Sequence, residues 1–142
     1  MQLSRFTDYT LRVLFFTAVN NERLTTLSEI ASFFDISVEH LRKVVHALSK
    51  TGYLETFRGK NGGIRLAKPP EEINLGDVVA QAEGISPLVD CMGQTCKLTG
   101  FCTLQSVFNE AQQAFMDTLS KYTLAQMLEN PRLQQALITS DR

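Results

Sequence analysis

Apolar and polar positions alternate along the chain with two different periods, and the changes between them mark its elements. Helical spacing runs through residues 9–19, so the pattern predicts a first helix opening at Thr7-Asp8. Thr26-x-x-Glu29 is a capping-box pattern that opens a short helix over 27–34, with Ile30, Ala31 and Phe34 on one side. Asp35-Ile36-Ser37 reads as a turn, and Ser37 is a suitable N-cap for a helix over 38–49. Leu41, Val44, Val45 and Leu48 form a single apolar stripe there, and Gly52 follows as the stop. The period then becomes two. Residues 53–57 and 64–66 read as short strands joined by the glycine-rich turn 58–63, which contains Asn61-Gly62.

The run Lys68-Pro69-Pro70-Glu71-Glu72 breaks the pattern and closes this first unit. Asn74 caps a predicted helix over 75–83, and residues 84–101, interrupted by glycine, serine and proline, read as a loop. A long helix follows from Cys102 to about Ser120, with Leu104, Val107, Phe108, Ala111, Phe115 and Leu119 at helical spacing. Thr123 caps a last short helix over 124–129, ended before Pro131. The expected fold is mainly α with a small β-hairpin wing: a winged helix-turn-helix plus a long dimerisation helix. The expected division is 1–68 for the winged DNA-binding unit, 69–101 for a linker helix and cysteine-bearing loop, and 102–142 for the dimerisation helix and C-terminal tail. The apolar stripe exceeds what so small a core needs, so a homodimer is expected.

Charge sharpens this picture. The chain of 142 residues has a formal charge of −1, but residues 1–68 hold ten Lys and Arg against six Asp and Glu, and residues 69–142 hold four against nine. Residues 42–68 alone carry seven cations and one acid, Glu55. A basic half joined to an acidic half points to a polyanion-binding part. No apolar run approaches the roughly 20 residues of a membrane-crossing helix. The first residues lack a basic stretch followed by an apolar one, so no signal peptide, no membrane partner and a cytoplasmic location are expected.

In a helix-turn-helix the second helix presents its N-terminal residues to base edges in the major groove of duplex DNA. Those residues are Ser37, Glu39, His40, Arg42 and Lys43. Glu39 could accept from cytosine, and Arg42 could read guanine or hold phosphate. The wing supplies Arg58, Gly59, Lys60 and Arg65, with Arg58 suited to a narrow minor groove. Each of these is otherwise a solvated surface residue.

The remaining chemistry lies in Cys91, Cys96 and Cys102, spaced Cys-x4-Cys-x5-Cys. An odd number of cysteines in a reducing compartment argues against a disulfide framework. Thiolates suit zinc or an iron–sulfur cluster. Structural zinc draws four ligands from close cysteine pairs, and no second pair exists here. Three thiolates would leave one cluster iron with another ligand or an open position where a small molecule reacts. A metal-free thiol redox switch also stays open. Both histidines, His40 and His46, lie in the DNA-facing half, so no cysteine–histidine catalytic pair is legible and no enzyme is expected.

Taken together, these residues resemble the IscR/NsrR family of winged-helix iron–sulfur regulators, and within it the nitric-oxide-sensing NsrR type. The resemblance spans nearly the whole chain. It rests on the N-terminal MQLSRFTDY, the wing RGKNGGIRL at 58–66, Gly76-Asp77-Val78-Val79 and the three cysteines. It implies an iron–sulfur cluster on Cys91, Cys96 and Cys102. IscR-type members carry a histidine three residues after the third cysteine, as a ligand to a 2Fe–2S cluster; Gln105 stands there in this chain. The resemblance therefore implies a 4Fe–4S cluster. Its fourth ligand would be a carboxylate from the partner subunit near the start of the first helix, which Asp8 matches; Asp8 also reads as an acid favoured at a helix N-terminus. Asp90 and Glu83 are the alternatives. The implied function is a repressor whose cluster-loaded dimer binds a palindromic operator and leaves it when nitric oxide attacks the cluster. An iron–sulfur-status regulator of the same fold is the alternative.

Overall fold

The computed structural model describes residues 1–84 and 86–138; Ile85 and the end of the expected tail, 139–142, lie outside the described residues. Helix α1 spans Arg5–Val19, and its N-cap is Ser4, whose hydroxyl accepts from the Thr7 amide at 3.2 Å. The helix thus begins earlier than the Thr7-Asp8 start read from the pattern. The acceptor that satisfies its free amides is Ser4, which leaves Thr7 buried and Asp8 inside the first turn. Helix α2, Leu27–Phe34, opens on the expected capping box, with Thr26 and Glu29 bonding each other's backbone, and ends on Asp35 in the left-handed conformation. Ser37 caps α3, Val38–Lys50, and the stripe Leu41, Val44, Val45 and Leu48 is buried as its spacing predicts.

The hairpin pairs β1, Leu54–Phe57, with β2, Gly63–Leu66, antiparallel, in the register Leu54↔Leu66, Glu55↔Arg65, Thr56↔Ile64 and Phe57↔Gly63. The outer edge of β2 is bonded in turn. The Ile64 amide donates to the Thr25 carbonyl at 2.7 Å, and the Thr25 amide returns a bond at 3.0 Å. A single 3-10 turn, Pro70–Glu72, leads to α4, Leu75–Glu83, with Asn74 as its cap. Helix α5 covers Thr103–Leu119, α6 covers Leu124–Met127, and a further helix, α7, covers Pro131–Leu137. Pro131, read from sequence as a stop, also starts α7: at the first helical position its missing N–H breaks no bond.

Val13, Leu14 and Phe16 of α1 are fully buried at the centre of one apolar cluster that extends from Val13 to Leu137. Packing therefore continues across Lys68. Ile73 and Val78 join the same cluster as Leu41 and Leu54, as do Leu124, Leu128 and Leu137. The chain returns to α1 through named bonds. Leu124 donates to the Ile73 carbonyl at 2.8 Å, and the buried Asn20 amide group donates to the Leu137 carbonyl at 2.9 Å. Helix α5 differs: none of its residues is buried, and Leu104, Val107 and Phe115 are 59%, 55% and 38% exposed.

Two local devices join α4 to its neighbours. At its start, a Cβ added to Gly76 would meet Ser120 Oγ at 2.0 Å and Ser120 Cα at 3.0 Å, so a side chain there would displace the Ser120 hydroxyl and crowd its backbone. At its end, the Glu83 carboxylate accepts from Thr7 Oγ1 at 2.5 Å, the Ser4 amide at 2.9 Å and Ser4 Oγ at 3.0 Å. These bonds, the one from Thr7 foremost, hold the Glu83 carboxyl below its ordinary range.

Gly76→Ala should lower stability by about 1–3 kcal/mol, as overpacking against backbone does. A urea transition with a lower midpoint and an unchanged slope is the expected record; an unmoved midpoint would show that the α4–α5 approach has slack. Glu83 predicts a pH dependence. Because its folded-state pKa lies below the unfolded one, the unfolded chain takes up this proton first as pH falls. Its stabilisation is complete above the ordinary glutamate range and is lost as pH falls through the folded-state value. Glu83→Gln should flatten that part of the acid limb in urea titrations from about pH 7 to about pH 3. An acid limb identical to the parent's would remove Glu83 from the account.

Candidate nucleic-acid interface and cysteine loop

The N-terminal turn of α3 carries the residues expected to face DNA, and each has a local partner that sets its pose. Ser37 accepts from the His40 amide at 3.2 Å and so serves first as the helix cap. Glu39 and Arg42 form an exposed ion pair at 2.7 Å, one turn apart on the helix. An exposed pair of this kind contributes about 0–1 kcal/mol, so it orients Arg42 without preventing its exchange for a phosphate or a base. His40 is exposed and meets the edge of the Tyr9 ring, with centroids 5.5 Å apart, which ties the start of α3 to α1. Lys43 is exposed and makes no ion pair among the described residues.

At the wing tip Arg58, Gly59 and Lys60 are all exposed, and neither cation has an ion-pair partner among the described residues. Gly59 has φ +103°, and a Cβ on Gly62 would lie 2.1 Å from the Phe57 carbonyl oxygen, so the turn requires glycine at both places. Arg65 stands apart from the other expected contacts. It lies on β2, pairs with Glu55 at 3.0 Å and covers the Phe57 ring at 4.9 Å. Neither Glu55 nor Phe57 was legible as a functional residue; the strand alternation alone places them on the Arg65 face.

Cys91, Cys96 and Cys102 are free thiols, the first and last half-buried and Cys96 exposed. Cys102 is the N-cap residue of α5, and its side chain makes no capping bond. Residues 92–101 are exposed throughout and carry Met92, Leu98 and Phe101 outside the core. Soft thiolate donors at this spacing fit an iron–sulfur group chemically. The single chain does not gather them: among the described residues, no group of three or more His, Cys, Asp or Glu is placed to hold a metal ion.

The carboxylates nearby divide by role. Asp8 is gripped by the Arg12 guanidinium at 3.1 and 2.8 Å, and Arg12 also lies over the rings of Tyr9 and Phe34. Asp90 accepts from the Gly93 amide at 2.7 Å and closes a turn of the loop itself. Glu83 is taken up by Ser4 and Thr7. Gln112 of α5 donates to the Ser86 carbonyl at 2.5 Å, so the loop is fastened to α5 just after it leaves α4. Arg12 and Gln112 carried no signal in the sequence beyond helical spacing.

The profile of the Rrf2 family, described as iron-dependent transcriptional regulators, matches residues 3–130. The HTH-type transcriptional regulator NsrR of Geobacillus kaustophilus is 46% identical over 146 aligned positions, covering 100% of this chain and 99% of that protein. The protein of the same name from Halalkalibacterium halodurans is 44% identical, covering 97% of each. Among solved structures, IscR from T. potens superposes with a TM-score of 0.76 at 25% identity, over 99% of this chain and 94% of that one. The oxidized form of Staphylococcus aureus CymR gives a TM-score of 0.75 at 25% identity, over 92% and 98%. The fold and the sequence are thus similar over nearly the whole chain, and the chain belongs to the Rrf2 family of iron-dependent transcriptional regulators.

Proposed function

We propose that this transcriptional regulator is a nitric-oxide-sensing repressor that works in the cytoplasm as a homodimer on a palindromic DNA operator. One observation carries the reading. In a chain whose near-full-length relatives are named NsrR, three free thiols sit on an exposed loop between the winged unit and a helix with no buried residue. The stripe of α5 meets its twin in the dimer. Ser37, Glu39, His40, Arg42 and Lys43 face the major groove, and Arg58, Gly59 and Lys60 reach the minor groove.

Cys91, Cys96 and Cys102 hold an iron–sulfur cluster, 4Fe–4S rather than 2Fe–2S. When bound, it supplies iron sites that nitric oxide attacks. The partner subunit's Asp8 would complete the ligand set, in place of the Arg12 contact it makes here. Asp8 lies in the first turn of α1, and α1 packs on α3, so this bond ties cluster state to the placement of the DNA-reading helix. A signal shifts a two-state equilibrium only through such a difference between the states. An iron–sulfur-status regulator is the second reading, favoured by the likeness to IscR from T. potens; nitric oxide separates the two.

For DNA, a palindromic duplex selected from a randomised pool by the anaerobically prepared protein should bind with steep salt dependence. Each neutralised phosphate adds about −0.9 to the log–log slope. Arg58→Ala should weaken binding and reduce the slope by about that amount; unchanged affinity in a folded variant removes the wing from the interface. For the sensor, native mass and absorbance before and after nitric oxide should show a cluster-loaded dimer that loses both its cluster and its DNA. Each of Cys91→Ala, Cys96→Ala and Cys102→Ala should abolish cluster retention, and Asp8→Ala should keep a cluster with an altered response. Cysteine variants with full clusters and a normal response would sink the assignment, and a loaded protein indifferent to nitric oxide would favour the iron–sulfur-status reading.

A further inference from the structure

The exposed face of the hairpin holds an arrangement that DNA contact by itself does not call for. Glu55 and Arg65 stand directly opposite each other across β1 and β2, and Arg65 Nε donates to Glu55 Oε2 at 3.0 Å. The same guanidinium lies 4.9 Å from the centre of the Phe57 ring. Phe57 is opposite Gly63, the one pair in this register where a partner has no side chain. Arg65, the diagonal neighbour, takes up that place against the ring. Phe57 is the last residue of β1, and the tip folds back onto its peptide: only glycine at position 62 tolerates the approach of the Phe57 carbonyl.

The rest of the wing is unevenly supported. Its inner face is fixed by the buried Leu54 and Ile64, and the edge of β2 by the paired bonds to Thr25. Beyond Phe57 the turn closes with one backbone bond, from the Gly62 amide to the Gly59 carbonyl at 3.1 Å. Side-chain support toward the tip runs along the outer face, from Glu55 through Arg65 to Phe57.

Charge points the same way. Glu55 is the single acid among residues 42–68. Beside a phosphate-binding surface, a lone acid opposes binding by simple Coulomb repulsion. As the partner of Arg65 it has another effect: it draws the guanidinium sideways over Phe57, along the strand face instead of outward.

We propose that Glu55 and Arg65 are positioning residues of the DNA-reading wing, which hold Phe57 and so set the pose in which Arg58 and Lys60 meet the duplex. This rests on the reading that the wing tip contacts DNA, and it assigns Arg65 an indirect role in place of the direct contact its charge suggests.

The two roles differ in sign. If Arg65 touched phosphate, Glu55→Gln would free a cation and remove an acid, and binding would tighten. If the pair positions the tip, the same variant weakens binding.

The test uses the full-length protein, prepared anaerobically, with the selected duplex. Glu55→Gln, Arg65→Gln and Arg58→Ala are compared with the parent across a salt series, and amide hydrogen exchange is followed over residues 58–62 without DNA. Both pair residues are about half exposed, so the variants should fold with the parent's thermal midpoint. Glu55→Gln and Arg65→Gln should each weaken binding by about three- to tenfold, the scale of an exposed ion pair with a cation–π contact. Both should leave the salt slope at the parent value and speed exchange at the tip. Tighter binding by Glu55→Gln, or a slope reduced by about 0.9 in Arg65→Gln, overturns the proposal and makes Arg65 a phosphate contact. If Arg58→Ala is also silent, the wing reading itself fails and the positioning role falls with it.

Discussion

Burial of one face of α1 is the constraint on which the rest depends. Val13, Leu14 and Phe16 have no exposure, and α3, α4, β2 and α7 all pack against the helix that bears them. Each such side chain contributes roughly 1.5–3 kcal/mol by leaving water. The winged unit does not cover this face alone. Val78 of α4 and Leu137 of α7 belong to the same cluster, brought back by the Leu124–Ile73 and Asn20–Leu137 bonds. Helix α3 is therefore seated on a helix that is itself held from the far end of the chain.

The same helix carries, at its N-terminal end, the groups that meet the start of the cysteine loop. Ser4 and Thr7 grip Glu83, the last residue of α4, from which the cysteine loop departs; Asp8 follows in the same turn, held by Arg12. Helix α1 thus joins the start of the loop to the seat of α3. On the proposed reading, this short rigid path lets a change at the cysteines reach both recognition helices of a dimer. Among the described residues, the loop and α5 add nothing to the buried core, and their apolar side chains stay outside it.

Electrostatics gives the two halves separate characters. The cations of the first half concentrate on α3 and the hairpin; there Lys43, Lys50, Arg58 and Lys60 are exposed and make no ion pair among the described residues, whereas Arg42 and Arg65 are paired. The two pairs differ in kind. Arg42–Glu39 joins neighbours on one helix turn, whereas Arg65–Glu55 crosses the hairpin and continues into an aromatic ring. The first adjusts a single side chain; the second stiffens an element.

Local periodicity and capping chemistry were enough to read most elements from the sequence. Ser37, Asn74, Thr26 and Thr123 cap the helices their side-chain oxygens announce, and Leu41, Val44, Val45 and Leu48 are buried as their spacing requires. The cysteine spacing, the wing glycines and the N-terminal segment also carried the resemblance that the family match bears out. These signals are legible because each arises within a few residues of chain. The early start of α1 went unread although its cap is just as local, Ser4 accepting from the Thr7 amide; what lay beyond local reach is Glu83, 79 and 76 residues away, which bonds Ser4 and Thr7 in turn. Nor was α7, whose place depends on Leu137 entering a core built around α1. The role of Arg65 escaped for the same reason. Sequence shows a cation, and only the fold shows which acid and which ring lie within its reach.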